Sequence, residues 1–136
     1  MKISVCLLLI LSTGLCYSQN IPAKEIQIKT ALLAAPQEQR EHASVMGYSP
    51  KGELVELRKG SNAVICLADD PAQKGLNVSC YHKDLEPFMA RGRALKKEGK
   101  SFKEIFDIRE EEVKSGKLKM PSQATTLYVY TTSEEN

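Results

Sequence analysis

Residues 65–93 read ICLADDPAQKGLNVSCYHKDLEPFMARGR. The stretch holds Cys66 and Cys80, a loop between them, and the start of the most regular helical pattern in the chain. Ala63 to Leu67 is apolar throughout, the pattern of a strand buried on both faces. Leu76, Val78 and Cys80 alternate, the pattern of a strand with one buried face. If these two strands lie side by side, Cys66 and Cys80 come within bonding distance. Closing a loop of about 15 residues in this way is worth about 3 kcal/mol in the chain-entropy model. A Cys66–Cys80 disulfide is therefore expected to organise the fold.

After Cys80, Asp84 reads as an N-cap and Pro87 falls in the first turn, where its missing N–H does no harm. Leu85, Phe88, Met89, Gly92 and Leu95 recur at helical spacing, and Gly99 is the expected left-handed stop. Ser101 and Glu104 form a capping-box pattern for a second helix with an apolar stripe of Phe102, Ile105, Phe106 and Val113, ended by Gly116. The run Arg109-Glu110-Glu111-Glu112-Val113-Lys114 reads as a solvated face. Residues 125–132, TTLYVYTT, are β-branched and aromatic, a final strand.

Before the cysteines, residues 22–35 read as a helix with Ile26, Leu32 and Leu33 on one face, stopped by Pro36. Two strands, 43–48 and 53–58, flank a Ser49-Pro50-Lys51-Gly52 turn, and Lys59-Gly60-Ser61-Asn62 turns the chain again. Short turns at this spacing predict an antiparallel meander. The fold class is α+β: an antiparallel sheet of four to five strands, two helices packed on one face, and an additional N-terminal helix, placed at an edge.

The N-terminus, MKISVCLLLILSTGLCYSQN, has Lys2, an apolar run and a small-residue exit, the pattern of a secretory signal peptide over 1–18. Leu15 before Cys16 argues against a lipid-attachment box. Residues 19–136 then form a single domain with an ordered core of about 22–132. Removal of 1–18 takes Cys6, Cys16 and Lys2, leaving two cysteines and 18 basic against 17 acidic side chains. Two cysteines in an oxidising compartment argue for one disulfide, and a nearly neutral chain argues against nucleic acid as partner. No later segment is long and apolar enough to span a bilayer. A periplasmic or extracellular monomer is expected.

Chemistry is sparse. His82 and Glu86 stand four apart, a spacing that on a helix puts both on one face and suits two metal ligands. Asp69, Asp70 and Asn77 offer oxygens to a calcium ion, although turn chemistry accounts for them. Arg91 and Arg93, with Tyr81 and Lys83, could form an anion pocket, although a solvated helix face accounts for the arginines. The wide cysteine spacing disfavours a redox dithiol. The chain has no nucleophile elbow, phosphate loop, zincin motif or dinucleotide fingerprint.

The chain resembles a group of uncharacterised secreted bacterial proteins. The resemblance rests on Ala34-Ala35-Pro36, Val45-Met46-Gly47-Tyr48, Gly60-Ser61-Asn62 before Cys66-Leu67, then Cys80 and a helix. Gly99-Lys100-Ser101 and Gly116-Lys117-Leu118 with Pro121 complete it. These are turn and cap residues, so the resemblance implies export and a common fold and carries over no activity.

The leading functional reading is a small exported binding or accessory module, stapled by one disulfide, with no catalysis of its own and no cofactor or metal. Its partner is a protein or small molecule. The alternative is a metal-dependent or hydrolytic enzyme, or a metal-binding protein, sited near His82 and Glu86. The residues to inspect are Tyr81, His82, Glu86 and Arg91.

Overall fold

The computed structural model describes residues 20–133, and the signal peptide expected over 1–18 lies outside them. The chain runs α1 (Lys24–Ala31), a 3-10 turn (Leu32–Ala34), α2 (Gln37–Arg40), β1 (Ser44–Tyr48), β2 (Leu54–Arg58), β3 (Val64–Leu67) and β4 (Leu76–His82). A second 3-10 turn (Lys83–Leu85) leads into α3 (Glu86–Lys97), α4 (Phe102–Lys114) and β5 (Leu127–Thr132).

The fold is α+β, as expected, but the sheet is mixed. Its five strands lie in the order β2-β1-β3-β4-β5. Three pairings are antiparallel, while β1 and β3 run parallel with Val45 beside Cys66. A pure meander would place β3 outside β2. The turn before β3 prevents this. Gly60 packs so tightly on the chain leading into β1 that an added Cβ would come within 2.3 Å of the Ser44 nitrogen. Ser61 and Asn62 both donate their backbone N–H to the His42 carbonyl, at 2.8 and 3.1 Å. The chain is thereby carried past the start of β1 to its other edge, and the most apolar strand takes the centre of the sheet.

Cys66 and Cys80 stand directly opposite in the β3–β4 ladder, joined by a disulfide with their Cα atoms 4.0 Å apart. Both are fully buried. Ala31, Ala35, Ala43, Val45, Val64 and Ala68 pack with them, and Ile28, Leu32 and Ala34 close the cluster. Cys80 Sγ lies 3.3 Å from the Ala31 carbonyl oxygen; a disulfide sulfur has no proton, so this is a packing contact.

The N-terminal helix therefore covers a face of the sheet, over the disulfide, and does not sit at an edge. Its buried side is Gln27 and Ala31; of the expected stripe, Leu32 packs against the core cluster, while Ile26 and Leu33 are exposed. Alanine lets the helix approach the sulfur atoms closely, which the larger side chains would prevent. Gln27 anchors the approach. Its amide accepts from the Tyr48 N–H at 2.7 Å and donates to the Tyr48 carbonyl at 2.9 Å and to Pro22 at 2.8 Å. Gly47 leaves room: a Cβ there would lie 2.6 Å from the Gln27 oxygen and 2.4 Å from Leu57 Cδ1.

Successive strand residues face opposite ways. Cys80 faces α1, so Tyr81 faces the other side, where its hydroxyl meets Glu86 and Arg93 of α3. The helices after Cys80 thus occupy the second face, with α3 on the sheet and α4 leaning on α3. The expected caps hold in part. Gly99 and Gly116 adopt φ of +81° and +74°, and Ser101 with Glu104 forms the complete capping box. Asp84 is not the N-cap: it lies within the 3-10 turn, and His82 supplies the capping acceptor.

Candidate functional site

The four candidate residues divide among three places. Tyr81 and Glu86 come together. Tyr81 is fully buried at the end of β4 and donates its hydroxyl proton to Glu86 Oε2. Arg93 completes the group, two residues beyond the expected Arg91. It donates to the Tyr81 oxygen at 3.0 Å and to Glu86 Oε1 through its other terminal nitrogen. Glu86 and Arg93 are seven apart and meet two turns along α3, both directed at the sheet. Each oxygen of Glu86 has a partner, so the circuit is closed.

Burial pushes the Tyr81 phenol far above its usual range, the bond to Glu86 adds to this, and Arg93 opposes it. Tyr81 therefore keeps its proton at any physiological pH and is no base. Burial alone would lower Arg93, but Tyr81 and Glu86 outweigh it and hold the guanidinium above its usual value. Tyr48 shares this face. Its phenol is raised first by burial and then by Asp70 and Asp69, with Arg93 opposing. The arrangement has a donor, an acceptor and a cation, and all three are spent on one another. It fixes α3 to β4.

Arg91 leaves the group for α4. Its Nε and one terminal nitrogen donate to the two oxygens of Glu112, both at 2.8 Å, in a bidentate fork. Glu98 lies 3.7 Å from the same guanidinium. The Glu112 bond raises Arg91, and the same bond lowers Glu112. Glu112 is only 8% exposed, which corrects the reading of the REEEVK run as a solvated face. Three consecutive glutamates give no periodic sign that one of them is an anchor.

His82 stands apart from Glu86. The 3-10 turn between them breaks the helical spacing on which a shared face depended. His82 Nδ1 accepts from the Asp84 N–H at 3.3 Å, with Asp84 Oδ2 3.4 Å away. The ring lines a polar cleft of about 180 Å³ with Gln123, Thr125 and Thr126. Asp69 accepts from the Asn77 N–H at 2.8 Å, while Asp70 holds Lys96 at 2.7 Å and the Ala72 N–H at 3.0 Å. Among the described residues, no three His, Cys, Asp or Glu side chains are placed to hold a metal ion. Among those residues, too, no helix is long and apolar enough to cross a membrane.

The feature that sequence patterning misplaced is the orientation of α4. Ile105, Ile108, Arg109 and Glu112 form the half-buried to buried stripe at i, i+3, i+4 and i+7. Arg109 stacks its guanidinium 4.0 Å from the Phe88 ring centre and donates to the Phe88 carbonyl at 3.4 Å. Gly92 admits it, since a Cβ there would lie 2.9 Å from its terminal nitrogen. Arg109 Nε is buried without a partner among the described residues, and burial lowers the group.

With polar residues turned inward, the phenylalanines of α4 face water. Phe102 is 84% exposed and Phe106 55%. Phe106, Phe88, Val113 and Met120 line a groove of about 320 Å³, with Arg109 in its wall. Along α4 beside it, Lys103 pairs with Asp107, and Glu110 with Lys114 at 2.8 Å. The chain matches no protein-family model, no curated protein and no solved structure.

Proposed function

We propose that this is an exported binding module, stapled by one disulfide and without catalysis of its own, which presents α4 to a protein partner. The observation that carries the reading is the exposure of Phe102 and Phe106 beside the groove formed with Phe88, Val113 and Met120. A contiguous apolar surface framed by polar residues is characteristic of an interaction site. Lys103 with Asp107 and Glu110 with Lys114 form i,i+4 pairs along α4, and the Arg109 guanidinium in the groove wall is stacked on Phe88, so the surface offers no basic cluster to a phosphate backbone or an anionic bilayer. That favours a protein. The buried disulfide supports an oxidising compartment. The polar groups near Tyr81 support no catalytic role, because each serves another side chain.

The enzyme or metal alternative near His82 and Glu86 has less support, because the two side chains serve different neighbours. The test is site-specific photo-crosslinking from position 102 in the exporting cell. A discrete protein adduct that disappears when Phe106→Ser is added, with melting temperature unchanged, supports the reading. An adduct indifferent to Phe106→Ser, or no adduct, overturns it.

A further inference from the structure

The two edges of the sheet are treated differently. β2 carries Glu56 and Arg58, and its pairing with β1 is broken by a bulge between Val45 and Met46. Charge and bulging are the ordinary ways in which a protein keeps a strand edge from pairing. β5 has neither. Its six residues, Leu127–Thr132, contain no charge and no proline, and they pair with β4 in unbroken register from Leu76–Thr132 to Tyr81–Leu127. Val129 is 57% exposed and Leu127 47%. Among the described residues, Leu127 to Thr131 make no hydrogen bond beyond the β4 ladder. An uncharged, β-branched and aromatic six-residue edge is a template for open-ended aggregation unless something closes it.

We infer that β5 is closed by β5 of a second copy of this chain, antiparallel, to make a symmetric dimer with one continuous ten-stranded sheet. The chain itself argues for a second copy. The whole sequence carries a net charge of only +2 and the strand carries none, so two copies meet without like-charge opposition. Antiparallel pairing of identical edges requires a two-fold axis perpendicular to the sheet, which closes the assembly at two and leaves no further β5 edge. This departs from the monomer expected from the sequence.

The symmetry also limits the register, because residues directly opposite must point to the same face. The register centred on Val129 sets Val129 against the second copy's Val129, Leu127 against its Thr131 and Tyr128 against its Tyr130. It uses the five residues that lack other partners and makes two aromatic cross-strand pairs. Leu127 and Val129 oppose Tyr81 and Ser79, so they lie on the α3 side of the sheet. Because the axis is perpendicular to the sheet, both α3–α4 layers fall on one side of the dimer. The α4 grooves would then act as a bivalent surface, although the dimer does not depend on that reading of α4.

The experiment is sedimentation equilibrium of the exported, oxidised chain, alone, across a concentration series. A monomer–dimer equilibrium is expected. Val129→Lys places two ammonium groups face to face on the axis and is expected to weaken the dimer about tenfold or more. Phe102→Ser/Phe106→Ser, which alters only α4, is expected to leave the dimer unchanged. Val129→Cys is expected to cross-link one copy to the other on air oxidation, and Thr131→Cys, four residues from its own symmetry mate, is not. The far-ultraviolet circular dichroism and melting of each variant confirm folding. A monomer at every concentration, a dimer insensitive to Val129→Lys, or cross-linking by Thr131→Cys in place of Val129→Cys would overturn the inference.

Discussion

Removing the Cys66–Cys80 bond tests the central structural claim. The two cysteines are 14 apart in sequence, and the bond closes a loop of a size worth about 3 kcal/mol of unfolded-state entropy. Packing adds to this. The largest fully buried side chains are Tyr81, Leu95, Val45, Val78 and the two cysteines, so two sulfur atoms are a substantial part of a thin core. Replacing both by alanine removes two methylene-sized groups from under Ala31, about 1 kcal/mol each with the void they leave. The double variant Cys66→Ala/Cys80→Ala should therefore lose about 5 kcal/mol, against a total of about 5–15 kcal/mol for a domain of this kind.

Urea unfolding of three species separates the two contributions: the oxidised protein, the reduced wild type and the double variant. Because both sulfurs are buried, the native bond should resist reductant, so reduction must be carried out in denaturant before refolding. The reduced wild type should lose about 3 kcal/mol and the double variant about 2 kcal/mol more. A reduced protein within about 1 kcal/mol of the oxidised one, at equal denaturant slope, would refute the claim that the staple organises the fold.

Tyr81→Phe removes the proton that Glu86 accepts but leaves Arg93 and Glu86 paired; a loss of about 1–2 kcal/mol in urea unfolding is expected, and no change would mean that the hydroxyl is idle. Gly47→Ala should cost about 2 kcal/mol, close to ten degrees in melting temperature, because the new Cβ must displace the Gln27 amide from Tyr48; a rise, the usual result of removing a strand glycine, would show that the clamp is loose. Arg91 holds the folded-state Glu112 below its ordinary value, so this pair stabilises above the ordinary carboxylate range and its contribution is lost as pH falls from that range through the lowered folded-state value. Melting temperature measured against pH should therefore fall less steeply into acid for Glu112→Gln than for wild type, and parallel curves would show that Glu112 plays no part in the acid transition.

What the sequence disclosed was local. The alternation of Leu76, Val78 and Cys80 beside the apolar run to Leu67 was enough to place the two cysteines opposite each other, since strand pairing and side-chain period determine that geometry. Gly99, Gly116, Ser101 and Glu104 marked helix ends because each meets a backbone need within one turn. Apart from the 3-10 turn at Lys83–Leu85, which makes His82 the cap in place of Asp84 and separates His82 from Glu86, the errors were contacts between distant segments. Nothing near Lys59-Gly60-Ser61-Asn62 announces that its hydrogen bonds go to His42 and that β3 must therefore run parallel to β1. Hydrophobicity favoured Ile26 and Leu33 for the buried side of α1, while the positions buried over the sheet are Gln27 and Ala31, with Ile28 and Leu32 packed at the margin of the cluster. Of the candidate site, Tyr81 and Glu86 stand out in the sequence only as neighbours of His82, and nothing in the spacing shows that Arg93 closes a group with them. The charge that binds α4 was read as solvated.

Those errors share a direction that bears on what the protein does. One face of the sheet is closed: α1 and its following turn lie over the disulfide, with small side chains packed against sulfur. The other face is held by polar groups. Tyr81, Glu86 and Arg93 fix α3, and Arg91 with Glu112 fixes α4. Binding a helix through a bidentate ion pair and a stacked guanidinium leaves its phenylalanines free, whereas hydrophobic docking would have consumed them. Phe102, Phe106, Leu127 and Val129 are accordingly withheld from the core and lie on the α3 side of the sheet. A chain that leaves this much apolar surface outside a small core needs stability from another source. The staple on the opposite face supplies it without using any of that surface.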